Sequence, residues 1–339
     1  MIQEIDFSEP RFLLIYYHVI GAVSLILNSF GIYLLIFQNG KLGNFRYYLL
    51  GLQIACTLTD IHLSFLMQPV PLYPLLAGYT VGVLSEYFDV STHICAMIAG
   101  FIALIQLESL TLCFGKKHQA IAEILKIHIV PNAILYFCYA LCILCPFALC
   151  GALQYLYMPK SQQLEYIEKV DTLLKVQLPI KKFENLHELY QDFLRLSHFV
   201  IYIKAPDLTW LYIVVFTGGS TLFILFLLFI LDIFRLMKEL KLKISTSTYQ
   251  KHHEALHSLM VQFATSILCL APPCILVVIV YFEIENGRVY SELLIAWFAS
   301  HSSVNMICLC LFFPPYRKFF WRSVTRNRKR VAIGASSMF

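Results

Sequence analysis

The stretch FLLIYYHVIGAVSLILNSFGIYLLIF, from Phe12 to Phe37, decides the fold of this chain. It contains no aspartate, glutamate, lysine or arginine. A bilayer core about 30 Å thick needs about 20 apolar residues in a helix, and a helix pairs its own backbone amides in lipid. The apolar run is continuous and does not alternate with polar residues, which favours a helix over a barrel strand. We therefore expect a membrane-spanning helix here.

Six further apolar stretches follow along the chain of 339 residues. Hydrophobic residues make up 59% of the sequence and charged residues 14%, against about 25% charged residues in soluble domains. We predict an all-α membrane protein, a single seven-helix bundle over residues 12–313 that resembles a G-protein-coupled receptor in architecture. The predicted spans are Phe12–Phe37, Tyr47–Pro71, Thr92–Phe114, Ile127–Gly151, Leu208–Leu231, Ser258–Phe282 and Leu293–Phe313.

The distribution of basic residues predicts the orientation of the bundle. If the amino terminus is outside, most of the 26 lysines and arginines fall in inner segments, as the positive-inside rule requires. Residues 1–11 are then an extracellular start, 152–207 a long outer loop and 314–339 a basic cytoplasmic tail. Helical spacing predicts a short amphipathic helix at Glu184–Leu196 in the loop, with an ordinary surface helix as the alternative. Alternating aromatic and basic residues after Pro315 predict another amphipathic helix in the tail.

The segment Arg235–His257 is predicted to extend the fifth and sixth spans as helices, with a polar break at Ser245–Thr248. Asp232 lies at the inner end of the fifth span. We expect it to pair with Arg235, because residues three apart are neighbours on a helix.

The composition of the spans argues against catalytic and metal chemistry. The eleven cysteines lie in or at the ends of the spans, without the paired histidines typical of a zinc site. Most are expected to pack as small apolar residues, although Cys95 and Cys150 lie near the predicted outer face and a disulfide between them is one alternative. We expect no catalytic residues, no metal, no cofactor and no nucleic-acid partner.

Asp60 is the most informative charge inside a predicted span. A carboxylate near the middle of the bilayer is costly and usually faces the bundle interior. We interpret it as a polar switch, which also includes Asn305, or as an ion site, with a structural hydrogen bond between helices as the alternative. Pro272 and Pro273 predict a kink that could serve as a hinge in the sixth span. The candidate partners of Asp60 at a comparable depth are His62, Ser302, Ser303 and Asn305.

The outer halves of the spans are rich in aromatic residues and poor in charge. This composition suits a pocket for a small, largely apolar ligand, although aromatic residues also form belts at the membrane interface or pack between helices. The candidate ligand-binding residues are Gln68, Tyr281, Trp297, Phe298 and His301.

Four segments carry a resemblance to a known family: Gln53–Tyr79, Cys113–Ile121, Ser245–Gln262 and Pro314–Phe320. Together they resemble the nematode serpentine chemoreceptors of the Str superfamily, with class I the nearest and class H next. The resemblance covers all seven spans. It implies a plasma-membrane receptor of chemosensory neurons, placed in the sensory cilium, that binds an odorant-like molecule and signals to a heterotrimeric G protein.

The resemblance also implies which residues face the G protein. The Asp-Arg-Tyr triplet of rhodopsin-like receptors is absent, and the sequence from Phe114 to Lys117 stands in its place. The inner contacts are therefore expected to differ from those of rhodopsin-like receptors. The alternative function is a membrane transporter or channel subunit, for which the spans offer few polar residues. The residues assigned to the G-protein-facing surface are Lys116, Lys117, His118, Arg317 and Lys318.

Overall fold

The structure is a computed structural model of the full chain. It describes residues 7, 8, 10–37, 43–177, 193, 195, 196, 198–202, 206–312 and 317. All of the predicted tail helix except Arg317, and all but three residues of the predicted helix at Glu184–Leu196, lie outside this set.

The described part of the chain is mostly helical, with one small sheet. A π-helical turn, His62–Met67, continues α2. The helices are α1 Arg11–Phe37, α2 Phe45–Ile61, α3 Val83–Phe88, α4 Thr92–Leu125, α5 Asn132–Tyr155, α6 Lys160–Gln177, α7 Pro206–Lys243, α8 Thr246–Tyr281, α9 Gly287–Ala299 and α10 His301–Phe312. The strands are β1 Pro69–Pro71, β2 Ala77–Thr80 and β3 Phe199–Ile201.

Within the described residues, six helical segments are long and apolar enough to cross a membrane: α1, α2 with its π-helical turn, α4, α5, α7 and α8. The pair α9 and α10, bent by 49° at Ser300, qualifies together as a seventh. This confirms the predicted seven-span, receptor-like bundle. α4 packs against α2, α5, α7 and α8, and α1 closes the ring against α2 and α10.

The sheet covers one end of the bundle, which we call the sheet end. β2 lies in the middle and pairs antiparallel with β1 and β3, with Pro69 opposite Thr80 and Gly78 opposite Val200. β2 and β3 fall in predicted outer loops, but Pro69–Pro71 was predicted to end the second span; that end of the span is wrong, because the helical segment stops at Met67 and β1 follows. The first strand begins here because the backbone of Gln68 turns left-handed, with φ at 45°, and Pro69 has no amide to continue the helix.

Two tyrosines attach the sheet end to the helices. The Tyr17 hydroxyl of α1 donates to the Pro69 carbonyl oxygen at 2.7 Å. The Tyr73 hydroxyl donates to the Ile284 carbonyl oxygen, between α8 and α9, at 2.6 Å. Burial, followed by the nearby Glu283 carboxylate, raises the pKa of Tyr73, so the phenol stays protonated to a higher pH than an exposed tyrosine.

The opposite end, which we call the basic end, contains the long extensions of α7 and α8. α7 continues to Lys243, and α8 begins at Thr246 after Ser245, whose side-chain oxygen accepts from the Thr248 amide at 3.4 Å. A serine at this position caps the first free amides of a helix. The predicted helical extensions are confirmed. The break between them is shorter than predicted, since it lies at Ile244 and Ser245 and α8 already includes Thr246–Thr248.

The main apolar core lies in the half of the bundle toward the basic end. It joins α1, α2, α4, α7, α8 and α10 around fully buried Phe114. α5 is peripheral: of its described side chains, only Pro146 is buried. The sheet-end half contains several small apolar clusters, and the cleft described below lies outside the main core.

Candidate functional site

A cleft between the helices brings together residues of four spans. It is narrow in this arrangement, with a cavity volume of about 10 Å³, room for about one water molecule. Thr59 comes from α2, Ser266 from α8, and Phe298 and His301 flank the bend between α9 and α10. α4 contributes Ala103, Gln106 and Leu107. The cleft therefore has apolar walls with several hydrogen-bonding groups between them.

His301 lies in the cleft because the last span breaks beside it. The Ser300 hydroxyl donates to the Trp297 carbonyl oxygen at 2.8 Å, and His301 Nδ1 lies 3.1 Å from the Phe298 carbonyl oxygen. Side chains that bind the carbonyl oxygens of the preceding turn compete with the helical ladder and bend helices. The same contacts turn the imidazole toward the bundle interior, where it is buried.

A buried polar network lies behind His301. Asp60, 2% exposed, accepts from the Asn28 amide at 3.0 Å. The side-chain oxygen of Asn28 accepts in turn from Gln53 at 2.7 Å and from Ser302 at 2.8 Å. The network thus connects α1, α2 and α10. A second link between α1 and α10 joins the hydroxyls of Ser24 and Ser303.

His301 connects the cleft to this network. Its Nε2 lies 3.1 Å from the side-chain oxygen of Gln106, and its Nδ1 lies 3.4 Å from Oδ1 of Asp60. Thr59 donates to the same Gln106 oxygen at 3.0 Å. A molecule that displaces Gln106 therefore changes a contact of the ring that faces Asp60.

The five predicted ligand-binding residues do not form one site. Phe298 and His301 line the cleft. Tyr281, 48% exposed, lines a separate, shallow apolar groove at the sheet end. Trp297 is 45% exposed and is absent from the cleft lining. Gln68 is buried and donates to the Ser64 carbonyl oxygen at 2.7 Å, which stabilises the end of the π-helical turn.

Of the predicted partners of Asp60, Ser302 hydrogen-bonds to its carboxylate, whereas His62 and Asn305 bind other groups. His62 Nε2 lies 2.8 Å from the Cys95 carbonyl oxygen, on α4. Asn305 accepts from Thr265 at 2.9 Å and so links α10 to α8. α8 is helical through Pro272 and Pro273, and the kink predicted there stays a prediction. The roles of these residues as switch elements stay predictions.

Two of the residues predicted to face the G protein are buried. Lys117 is 7% exposed and its Nζ lies 5.3 Å from the centre of the Phe45 ring. His118 is 3% exposed and its Nε2 lies 3.0 Å from Asp232. Neither lies on the surface in this arrangement, because α4 continues to Leu125 and carries them into the helix packing, and their role toward a G protein stays a prediction.

The other three G-protein-facing candidates differ in their exposure. Lys116 is half-buried, with its Nζ between the rings of Tyr48 and Tyr139. Arg317 is exposed. Lys318 lies outside the described residues.

Asp232 joins three segments at the basic end. Its carboxylate lies 3.0 Å from His118 Nε2 of α4 and 3.0 Å from His128 Nδ1, in the turn before α5. The predicted pair with Arg235 is wrong, because the carboxylate faces these histidines across the helix interface.

Cys95 and Cys150 are free thiols, so the disulfide considered from the sequence is not formed. Cys95 packs with Leu63 and Met67 of the π-helical turn. Cys150 instead directs its sulfur to the Met97 carbonyl oxygen at 3.9 Å. The two side chains therefore contact different neighbours.

Sequence reasoning missed most of the polar residues that assemble this site. Their polarity could have marked them, since each is a polar side chain within or beside an apolar run, where such residues usually face the bundle interior. Their partners lie on distant parts of the chain and leave no local pattern. The missed residues are Asn28, Gln53, Thr59, Gln106 and Ser266.

The comparisons agree with this architecture. A family model described as "Serpentine type 7TM GPCR chemoreceptor Sri" matches residues 3–320. A search of the curated proteins found no match. The resemblance to serpentine chemoreceptors is confirmed, while the superfamily, the class within it and the nematode source stay predictions. With its multiple membrane spans and this match over nearly its whole length, the chain belongs to the Sri family of serpentine seven-transmembrane chemoreceptors.

Proposed function

We propose that this protein is a chemosensory receptor that binds a small environmental molecule in the cleft and signals to a heterotrimeric G protein. The observation that carries the proposal is the position of His301, which lines the cleft and also faces Asp60 in the buried network. A ligand can shift a conformational equilibrium only through different affinities for the two states. A cleft that shares a residue with a network between three helices gives a ligand a contact through which it can favour one packing of those helices.

The proposed orientation places the sheet end outside the cell and the basic end in the cytoplasm. The concentration of lysines and arginines in the segments assigned to the inside supports it, because basic residues are retained on the cytoplasmic side. The proposed location is the plasma membrane, in a sensory cilium. The ligand then enters from the side opposite to the G protein.

The G protein is proposed to bind the basic end, where α7 and α8 extend furthest. Lys116, Arg317 and Lys318 supply the positive charge for this surface. Lys117 and His118 become available only if the end of α4 separates from its neighbours, because both are buried in the present arrangement. Their exposure would be part of the response to the ligand.

The direct test is expression with a G-protein reporter against a panel of volatile and water-soluble compounds. A specific, dose-dependent response is expected. Asp60→Asn should shift the half-maximal ligand concentration by about fivefold or more, the range of typical coupling between sites, while surface expression stays near that of the parent. Glu86→Gln, which removes a carboxylate from an exposed position on α3, is the matched control.

Two results would contradict the proposal. An equal loss of signalling and of surface expression in Asp60→Asn would indicate a structural role for this residue. Ligand-dependent ion flux in vesicles that contain the receptor and no G protein would indicate a channel.

A further inference from the structure

The ammonium group of Lys116 lies between two tyrosines at the basic end. Its Nζ atom is 5.6 Å from the centre of the Tyr48 ring of α2 and 5.5 Å from the centre of the Tyr139 ring of α5. A cation at this distance is attracted to an aromatic ring. Three helices therefore bring one ammonium and two phenol groups together, and all three side chains are at least partly exposed.

The donors of these three side chains lack an anionic partner. Among the described residues, no carboxylate forms an ion pair with Lys116, and no residue accepts a hydrogen bond from the hydroxyl of Tyr48 or Tyr139. An ammonium donates three hydrogen bonds and a phenol donates one. The group therefore offers a positive charge and several donors to an anion.

Two further cations lie beside this group. The guanidinium of Arg46 is 4.9 Å from the centre of the Tyr47 ring and donates to its hydroxyl at 2.9 Å. Lys117, next to Lys116 on α4, is buried with its Nζ 5.3 Å from the centre of the Phe45 ring. The first turn of α2 adds the partial positive charge of a helix amino terminus. These charges make the potential at this corner of the bundle positive.

Acidic residues do not balance this charge. Asp232, at the same end, is held by His118 and His128. Glu108 lies about 12 Å from Lys116 along α4, toward the middle of the bundle. The segments that build the corner contain no aspartate or glutamate: residues 43–50, 113–122 and 132–140.

The depth of Lys116 matches the boundary of a bilayer. α4 begins at the sheet end, where the Thr92 hydroxyl lies 2.9 Å from that of Thr80 in β2. Lys116 lies about 36 Å further along the helix at 1.5 Å per residue, and the apolar core of a bilayer is about 30 Å thick. In the proposed orientation this is the headgroup level of the inner leaflet, which contains anionic phospholipids.

Apolar surface continues from the two tyrosines toward the middle of the membrane. On α5, Ile143 lies one turn beyond Tyr139 and is exposed. On α2, Gly51 lies about one turn beyond Tyr48, and a Cβ atom built there would meet no atom within 4 Å. Ile54, one turn further, is also exposed. This open surface suits an acyl chain, which a free phosphate lacks.

We propose that Lys116, Tyr48 and Tyr139 bind the phosphate of an anionic phospholipid of the inner leaflet, whose acyl chains lie along α2 and α5. The ammonium neutralises the phosphate, and the two hydroxyls donate to its oxygen atoms. Arg46 and Lys117 add favourable charge. The site goes beyond the proposed receptor function, because the lipid joins α2, α4 and α5 without an odorant. A G protein that uses Lys116 then competes with the lipid.

The test is lipid binding to the purified full-length receptor in neutral detergent micelles, measured as thermal stabilisation, with no G protein and no odorant present. The probes are dioctanoyl phosphatidylserine, dioctanoyl phosphatidylcholine and soluble glycerophosphoserine. Phosphatidylserine is expected to act at a concentration about fivefold or more below that of phosphatidylcholine, the factor associated with one basic residue at a membrane surface. Glycerophosphoserine should act only at higher concentrations, because it has no acyl chains to bury.

Variants identify the binding residues. Lys116→Met keeps the apolar stem and removes the charge, so the half-maximal concentration of phosphatidylserine should rise about fivefold. Lys116→Arg should retain the preference for phosphatidylserine. Replacing both hydroxyls, in Tyr48→Phe with Tyr139→Phe, should weaken binding about threefold or more. Lys251→Met, at an exposed position of α8 at the same end, is the matched control and should leave the response unchanged.

Several outcomes would overturn the site. Equal responses to the two phospholipids, or an equal loss in Lys116→Met and Lys251→Met, would show that the corner does not recognise the anion locally. Stabilisation by glycerophosphoserine at the concentrations of the lipid would indicate a site for free phosphate. A Lys116→Met receptor that melts at a lower temperature without lipid, yet keeps the parent preference for phosphatidylserine, would show that Lys116 only supports helix packing. A reporter response without any lipid preference would support the receptor function and remove the lipid site.

Discussion

Asp60 is a residue whose importance was visible in the sequence and whose partners were not. An acid within an apolar span is conspicuous because a charge in lipid is costly. Its observed partner Asn28 lies on another helix, and His301 lies more than two hundred residues away along the chain. The sequence therefore predicted a buried carboxylate and could not predict which of many polar residues would surround it.

Asn28→Leu should destabilise the protein. The substitution removes the donor to Asp60 and the acceptor for Gln53 and Ser302. Each buried polar group left unpaired costs about 1–3 kcal/mol, and we expect a total loss of at least about 2 kcal/mol. Thermal unfolding of the purified receptor in detergent measures it. Ser29→Ala, at the neighbouring exposed position, should leave the melting temperature nearly unchanged. Similar melting temperatures for the two variants would contradict the network.

At the scale of the element, the helices were predictable and their irregular parts were not. The long apolar runs predicted the spans, and Ser245–Thr248 predicted the break between α7 and α8. The bend at Ser300 depends on side chains that bind carbonyl oxygens of the preceding turn, and Ser or His alone is a weak signal for this. The sheet depends on pairing between β2 and β3, more than a hundred residues apart, which no local pattern encodes.

Asp232→Asn should loosen the basic end between α4 and α7. The carboxylate is held by His118 and His128, and an amide is a poorer acceptor for them than a carboxylate. If the basic end opens toward the G protein, ligand-independent reporter activity should rise. Arg235→Gln, at an exposed position nearby, is the matched control. Equal basal activity in the two variants would show that this contact does not hold the resting state.

Gly287→Ala should destabilise the contact between the sheet end and α9. A Cβ atom at this position would lie 2.3 Å from the Tyr73 ring, and forcing extra atoms into a packed site costs about 1–3 kcal/mol. Thermal unfolding should show the loss. Gly151→Ala provides the control, because no atom lies within 4 Å of a Cβ built there. Equal stability of the two variants would argue against this close approach.

Across the whole molecule, hydrophobicity and charge predicted the architecture because lipid imposes the same demand on every span. Each must be long, apolar and internally hydrogen-bonded, and the sequence meets that demand without reference to distant residues. The cleft has no comparable signature, since it arises where α2, α4, α8 and the bent last span meet. Its apolar walls look like any other part of a span.

The orientation of the bundle predicts a simple labelling result. An epitope tag before residue 1 should be accessible to antibody on intact cells, and a tag after residue 339 only after permeabilisation, because basic flanks remain cytoplasmic. A tag inserted at Gly40, in the first inner segment, should behave like the carboxyl-terminal tag. Accessibility of both terminal tags from the same side would be incompatible with an odd number of spans.

The separation of the main core from the cleft has a consequence for how such receptors diversify. Leu110, Phe114 and their neighbours hold the helices together and are not among the residues that line the cleft. Cleft positions can therefore change with little loss of folding energy, because they do not belong to that core. A receptor of this fold could change its ligand specificity through a few substitutions at Ala103, Leu107 or Ser266. Related receptors could then differ in specificity while they keep the same helix packing.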